Sequence, residues 1–186
     1  VDLVGTKSFD EVINRVLKYS NGKKLKAILG RGWDQNDWRD KNFPNKTMLD
    51  KLFPNIPVAL RRIDGHALLV NQKALDLAGI DKNTSIAGGT IVKEKGMLTG
   101  VLIDSPMKLI NAILPEPSIE TKVKALKEAA AIGFENGLTT VSVAGLNKEE
   151  IYLIDSLQNN GELDMRVYAM ISNTKENMQH FLSRGP

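Results

Sequence analysis

Arg61, Arg62, Asp64 and His66 fall within six residues of one another, inside the stretch 57–79 that reads PVALRRIDGHALLVNQKALDLAG. Two guanidinium groups, a carboxylate and an imidazole so close together can be presented as polar groups to a ligand. Arg61 and Arg62 are neighbours in an apolar strand pattern, 58–63, so their side chains leave opposite faces. One of them is then solvated while the other pairs with Asp64 or meets a ligand. After the Asp64-Gly65 break, residues 66–78 read as a helix, with Ala67, Val70, Ala74 and Ala78, or Leu68 and Leu75, turned to a core. In that reading His66 sits at a helix N-terminus, where the macrodipole favours a neutral ring able to orient a substrate or stabilise a developing oxyanion. The plainer role is a hydrogen-bonded histidine that fixes the turn. The competing reading is a hairpin turning at Asp64-Gly65, with Leu68-Leu69-Val70 pairing back as a strand.

Asp104 closes the apolar run Val101-Leu102-Ile103, where a carboxylate is costly unless it is paired, hydrogen-bonded or bound to a cation. Capping of a following helix through Ser105 and its neighbours is the alternative role. Upstream, the apolar run 25–29 reads as a buried strand. It empties into Gly30-Arg31-Gly32-Trp33-Asp34-Gln35-Asn36-Asp37-Trp38, which carries both tryptophans of the chain. That segment reads either as an aromatic-walled binding loop or as two indoles packing an irregular stretch. His66 and His180 are the only histidines, and there is no cysteine, so thiol chemistry and a disulfide framework are excluded. A hydrolytic metal site draws on three or four His, Asp or Glu ligands, and His180, inside the last helical pattern, reads as a surface or core residue. There is no Walker A loop, no G-x-G-x-x-G after a strand, no G-x-S-x-G elbow and no H-E-x-x-H helix. By itself the chain does not assemble a recognisable active site.

The elements that must position these groups follow from periodicity and caps. Ser8-x-x-Glu11 is a capping box before a helix built on Phe9, Val12, Ile13, Val16 and Leu17, ended by Asn21-Gly22. Residues 39–56 are polar and proline-punctuated, with a short amphipathic helix at 47–53. Residues 80–100 suggest a small antiparallel ribbon, 90–93 against 97–100 across Lys95-Gly96, more in keeping with an insertion than with a sheet core. A short helix through Met107, Leu109 and Ile110 stops near Leu114-Pro115. From Ser118 the pattern becomes regular: helix to about Asn136 with Gly137 after it, strand 138–143, helix 147–159, strand 166–171 and helix 174–184. Alternating helices and near-continuous apolar strands signal parallel βα units covered by helices. The expected organisation is an early βα segment with its loop at 1–38, an insertion at 39–117, and regular αβαβα units at 118–186.

The chain has 186 residues, 42% of them hydrophobic, enough for a domain with a real core. Its net charge of +3 comes from 25 bases dispersed among 22 acids, which leaves no clustered basic face for nucleic acid. No apolar run approaches the roughly 18 residues of a membrane span, and no signal peptide is visible; the compartment stays open. The chain opens without Met on Val1-Asp2-Leu3 and closes on Gly185-Pro186, a helix stop. The expectation is a piece of a longer protein whose fold is cut in mid-cycle, the alternative a processed complete domain.

Five blocks occur in order: Gly30-Arg31-Gly32-Trp33-Asp34-Gln35 with Trp38; Leu60-Arg61-Arg62-Ile63-Asp64-Gly65-His66-Ala67 with Asn71-x-Lys73-Ala74-Leu75; Thr99-Gly100-Val101-Leu102 with Asp104; Gly137-Leu138-Thr139-Thr140-Val141 with Ala144-Gly145; and Arg166-Val167-Tyr168-Ala169-Met170. Together they resemble the N-substituted formamide deformylase-like branch of the amidohydrolase superfamily over nearly the whole chain. The resemblance implies a metal-dependent hydrolase on a distorted (β/α)8 TIM-type barrel, with divalent metal, usually zinc, activating water to cleave a C–N bond of a small amide-type substrate. It also implies that the family's metal-binding histidines lie outside this segment, so that the fragment alone is inactive and binds no metal. Asp104 falls where relatives place a carboxylate near the metal, and Trp33, Arg61 and His66 fall in blocks that resemble substrate-pocket walls. One block departs from the family pattern: Val141-Ser142-Val143-Ala144-Gly145 stands where relatives read V-H-D-A-G. A non-catalytic small-ligand module using Trp33, Trp38, Arg61 and His66 is the alternative function, and an oligomerisation scaffold a third. A truncated barrel exposes strand edges, so self-association is expected in any case.

Overall fold

A computed structural model describes residues 1–183. The expected end of the last helix at Arg184 and the Gly185-Pro186 stop lie outside the described residues. The chain forms two units, Val1–Pro115 and Glu116–Pro186, with two buried apolar clusters in the first and one in the second among the described residues.

The first unit is built on a five-stranded sheet in the order β1-β2-β3-β5-β4. Its strands are β1 (Ile28–Trp33), β2 (Val58–Arg62), β3 (Ala67–Val70), β4 (Gly89–Glu94) and β5 (Met97–Asp104). β1 and β2 pair in parallel, while β2–β3, β3–β5 and β4–β5 pair antiparallel, so β1, β2 and β5 all run the same way. All four residues of β3 are buried, because both faces of the sheet are covered. Leu60, Leu69 and Val101 face a layer with Val12 and Val16 of α1 (Phe9–Ser20) and Leu49 of α2 (Thr47–Leu52). Ala59, Leu68, Val70 and Leu102 face Ala74 and Leu75 of α3 (Gln72–Leu77) and Ile110 of α4 (Met107–Asn111). A strand buried on both faces reads as a continuous apolar run rather than an alternation. Each large aliphatic side chain so enclosed contributes about 1.5–3 kcal/mol.

The structure departs from the sequence-based expectations in several places. The chain after Gly65 is a hairpin arm, not a helix: Leu68 pairs with Arg61 and Leu69 with Leu60, and helix begins only at Gln72. Asn71 sets that boundary. Fully buried, it accepts the N–H of Ala74 as the helix cap. Gly65, at φ +81°, closes the turn by donating to the Arg62 carbonyl at 3.0 Å. The ribbon does not stand apart from the sheet core as expected, since β5 continues from Met97 to Asp104 and carries β4 into the main sheet. The first strand starts later than expected, at Ile28, and takes in Gly30–Trp33. At the α1 start Ser8 accepts from Glu11 N–H at 3.1 Å, but the Glu11 carboxylate accepts from Lys7 N–H at 2.8 Å instead of completing the box at Ser8.

The second unit has α5 (Ile119–Glu135), β6 (Thr140–Leu146), α6 (Lys148–Asn159), β7 (Arg166–Ile171) and α7 (Lys175–Phe181). β6 and β7 pair in parallel. Ala130, Ile154, Leu157, Leu163 and Met165 form its core. Asn147 caps α6 with a complete box, its Oδ1 accepting from Glu150 N–H at 2.8 Å and its own N–H donating to Glu150 Oε2 at 2.9 Å. Asn177, also buried, ties α7 to the carbonyls of Leu146 and Ser172. Among the described residues no helix is long and apolar enough to cross a membrane.

Candidate functional site

Because β1, β2 and β5 point the same way, their C-terminal ends share one end of the sheet with the start of β3. That topology gathers Asp34, Arg62, Asp64, His66 and Asp104 from segments far apart in sequence. The Arg62 guanidinium forks onto Asp64, Nε to Oδ1 at 2.9 Å and Nη2 to Oδ2 at 2.6 Å. This pair holds the Asp64 carboxyl below its ordinary value, helped by the His66 N–H that also donates to Asp64 Oδ1 at 3.0 Å. The same bond raises Arg62, with smaller contributions from the charges of Asp34 and Asp104. The Arg62 guanidinium lies 5.6 Å from the Phe43 ring, within cation–π reach.

The imidazole Nδ1 of His66 is 2.8 Å from Asp104 Oδ1, and the Asp104 N–H donates to the His66 carbonyl at 3.1 Å. Asp104 is therefore not a helix cap, since α4 is preceded by Pro106 with no side-chain cap. Both side chains stay open to solvent, 70% for His66 and 49% for Asp104. Arg61 leaves the opposite face of β2, donating to Asn111 Oδ1 at 3.0 Å and the Gly65 carbonyl at 3.4 Å. No carboxylate lies within ion-pair range of it among the described residues, so its charge is available to a carbonyl or carboxylate oxygen.

Trp33 is not on a pocket wall. It is 1% exposed, and its Nε1 donates to the Leu60 carbonyl at 2.7 Å, so it locks β2 from behind. Trp38 packs beside it, ring centroids 6.0 Å apart. The face of Trp38 borders an open groove of about 760 Å³ with Phe9, Phe43 and Met48. His180 pairs with Tyr152 at 2.6 Å in the second unit.

The donor set does not fit a metal centre. His66 and Asp104 are two groups already bonded to each other, and no three His, Asp or Glu side chains among the described residues come together to hold an ion. Asp104, expected near a metal, is the partner of His66. That contact spans 38 residues and has no sequence pattern. Asn71, which positions the hairpin, carries a legible signal, an Asn just before a helical run.

The arrangement is thus a set of fixed hydrogen-bonding groups at one sheet end, suited to orienting a polar substrate. The profile of the amidohydrolase family matches residues 1–184. Protein LONG AFTER FAR-RED 3 of Arabidopsis thaliana is 36% identical over 144 residues, 76% of this chain and 24% of that protein. YtcJ of Bacillus subtilis (strain 168), whose name carries the word amidohydrolase, is 40% identical over 114 residues, 60% of this chain and 22% of that protein. This chain thus spans less than a quarter of the length of either relative. Among solved structures, an uncharacterized metal-dependent hydrolase from Pyrococcus horikoshii OT3 superposes with TM-score 0.64 at 25% identity, over 99% of this chain and 35% of that one. Another from Pyrococcus furiosus gives 0.61 at 24% over 99% and 36%, a likeness of fold. The chain belongs to the amidohydrolase family.

Proposed function

We propose that this chain is part of a hydrolase that cleaves a C–N bond in a small amide-type substrate, and that its own contribution is to bind and orient that substrate. The family match over residues 1–184 carries this reading. In it the parallel units form an arc of a (β/α)8 barrel in the N-substituted formamide deformylase-like branch. A divalent metal, zinc by that resemblance, would polarise the scissile group, held by residues other than those described. Within this segment Arg61 and His66 face the substrate, Arg61 through its charge and His66 through its ring. Trp33 supports Arg61 by fixing β2, the strand that carries it.

Two measurements test the reading. The isolated chain, dialysed and subjected to elemental analysis, is expected to retain far less than one metal per molecule. The whole protein that carries it is expected to release amine from N-substituted amides and to stop when a chelator is added. One tightly held metal per isolated chain, or amide hydrolysis insensitive to chelation, would contradict it.

A further inference from the structure

His66 is held at three points. Its N–H donates to Asp64, its carbonyl accepts from Asp104 N–H, and its ring Nδ1 meets Asp104 Oδ1 at 2.8 Å. Asp104 reaches this position with φ +57°, in the left-handed region that non-glycine residues seldom occupy and that Asp and Asn tolerate best. Such a conformation persists where the surroundings enforce it and is enriched at functional sites. An ionised carboxylate can only accept, so Nδ1 must be the donor in this bond. In a neutral ring the other nitrogen then carries the lone pair. No partner for Nε2 occurs among the described residues, and the side chain is largely open to solvent.

We infer that Asp104 is a positioning residue, fixing His66 as the Nδ1–H tautomer so that the Nε2 lone pair faces outward as a hydrogen-bond acceptor. An unrestrained neutral imidazole favours the opposite tautomer, which would present a donor. The distinction decides what the site can read. Arg61 only donates and therefore takes a carbonyl or carboxylate oxygen, while His66 takes an N–H or O–H group. On either side of the Asp64-Gly65 turn, they offer a donor and an acceptor, as the two hydrogen-bonding ends of an amide that retains its N–H require. This last step rests on the proposed function; the tautomer does not.

The test is a long-range proton–nitrogen correlation spectrum of the 186-residue chain with 15N-labelled histidine, at a pH where the ring is neutral. His66→Gln assigns the signals, since His180 is the only other histidine. The expected spectrum has a bare Nε2 and a protonated Nδ1 for His66. Asp104→Gly removes the acceptor and suits φ +57° without strain, so it should fold and reverse the predominant tautomer. A wild-type His66 protonated mainly at Nε2, or an Asp104→Gly ring still protonated at Nδ1, would overturn the inference. Failure of amide hydrolysis in the whole protein would instead sink the proposed function and leave the tautomer result standing.

Discussion

Asn71 joins more of the first unit than any side chain of the polar cluster, and its removal gives a worked test of how the site is held. Its Oδ1 accepts from Val58 N–H at 3.0 Å and Ala74 N–H at 3.1 Å. Its Nδ2 donates to the carbonyls of Phe53 at 2.8 Å and Ile56 at 2.9 Å. One fully buried amide therefore fixes the start of β2, the loop before it and the first turn of α3. Asn71→Ala strands four backbone groups at about 1–3 kcal/mol each if none recovers. A water entering the vacated space re-pairs some of them, and loss of the cap alone accounts for about 0.5–2 kcal/mol. The net expectation is a loss of about 3 kcal/mol. Denaturant unfolding followed by tryptophan fluorescence reads this directly, since Trp33 and Trp38 both lie in the core of the first unit. The midpoint should fall with the slope unchanged. Asn71→Asp should fare little better, because it keeps the two acceptor bonds but sets a carboxylate oxygen against two carbonyls. A loss below about 1 kcal/mol for Asn71→Ala would refute the reasoning, since that is the worth of a single ordinary hydrogen bond.

The sequence made the second unit legible because its signals are local. The run 166–171 is the strand Arg166–Ile171, and α5, α6 and α7 begin behind Ser118, Asn147 and Thr174, each a side chain that accepts from a backbone N–H three residues on. The first unit was harder, since its decisive facts are tertiary. Residues 67–70 have helical companions on their C-terminal side, yet they pair as a strand because both neighbours in the sheet offer backbone partners and both faces bury apolar side chains. The Asp64-Gly65 dipeptide was the correct warning. Arg62 pairing with Asp64 was readable from strand alternation and spacing. His66 with Asp104 was not, because it depends on which strand lies next to β3. Trp33 shows the same limit: glycines around a tryptophan suggest a loop, whereas Gly30 and Gly32 lie in β1 and let Leu60 of β2 and Val4 of the N-terminal segment press against it, where an added Cβ would collide with them.

Acid titration should show Asp64 protonating below the ordinary range near 4, because its folded pKa is depressed chiefly by the Arg62 bond. Its stabilising share is present above the unfolded pKa and is lost as pH falls through the folded one; Arg62→Ala should bring the Asp64 carboxyl resonance back to an ordinary midpoint, and an unmoved midpoint would contradict the assignment. Gly100→Ala should destabilise the first unit by on the order of 3 kcal/mol, because Gly100 has φ +89° and an added Cβ would run into the Val70 carbonyl and Lys46; near-wild-type unfolding would show that β5 is placed otherwise. Asn147→Ala should cost about 1–2 kcal/mol and raise hydrogen exchange first at Glu150 and its neighbours in α6; unchanged exchange there would contradict the capping box.

The central claim is that His66 meets the substrate and does not hold the metal. The most direct measurement is kcat/KM for an N-substituted amide together with metal content, in the whole protein with and without His66→Ala. A lost substrate hydrogen bond of about 1–3 kcal/mol predicts a fall of about 5- to 160-fold with metal content unchanged. An unaltered rate, or a rate lost together with the metal, would contradict the account.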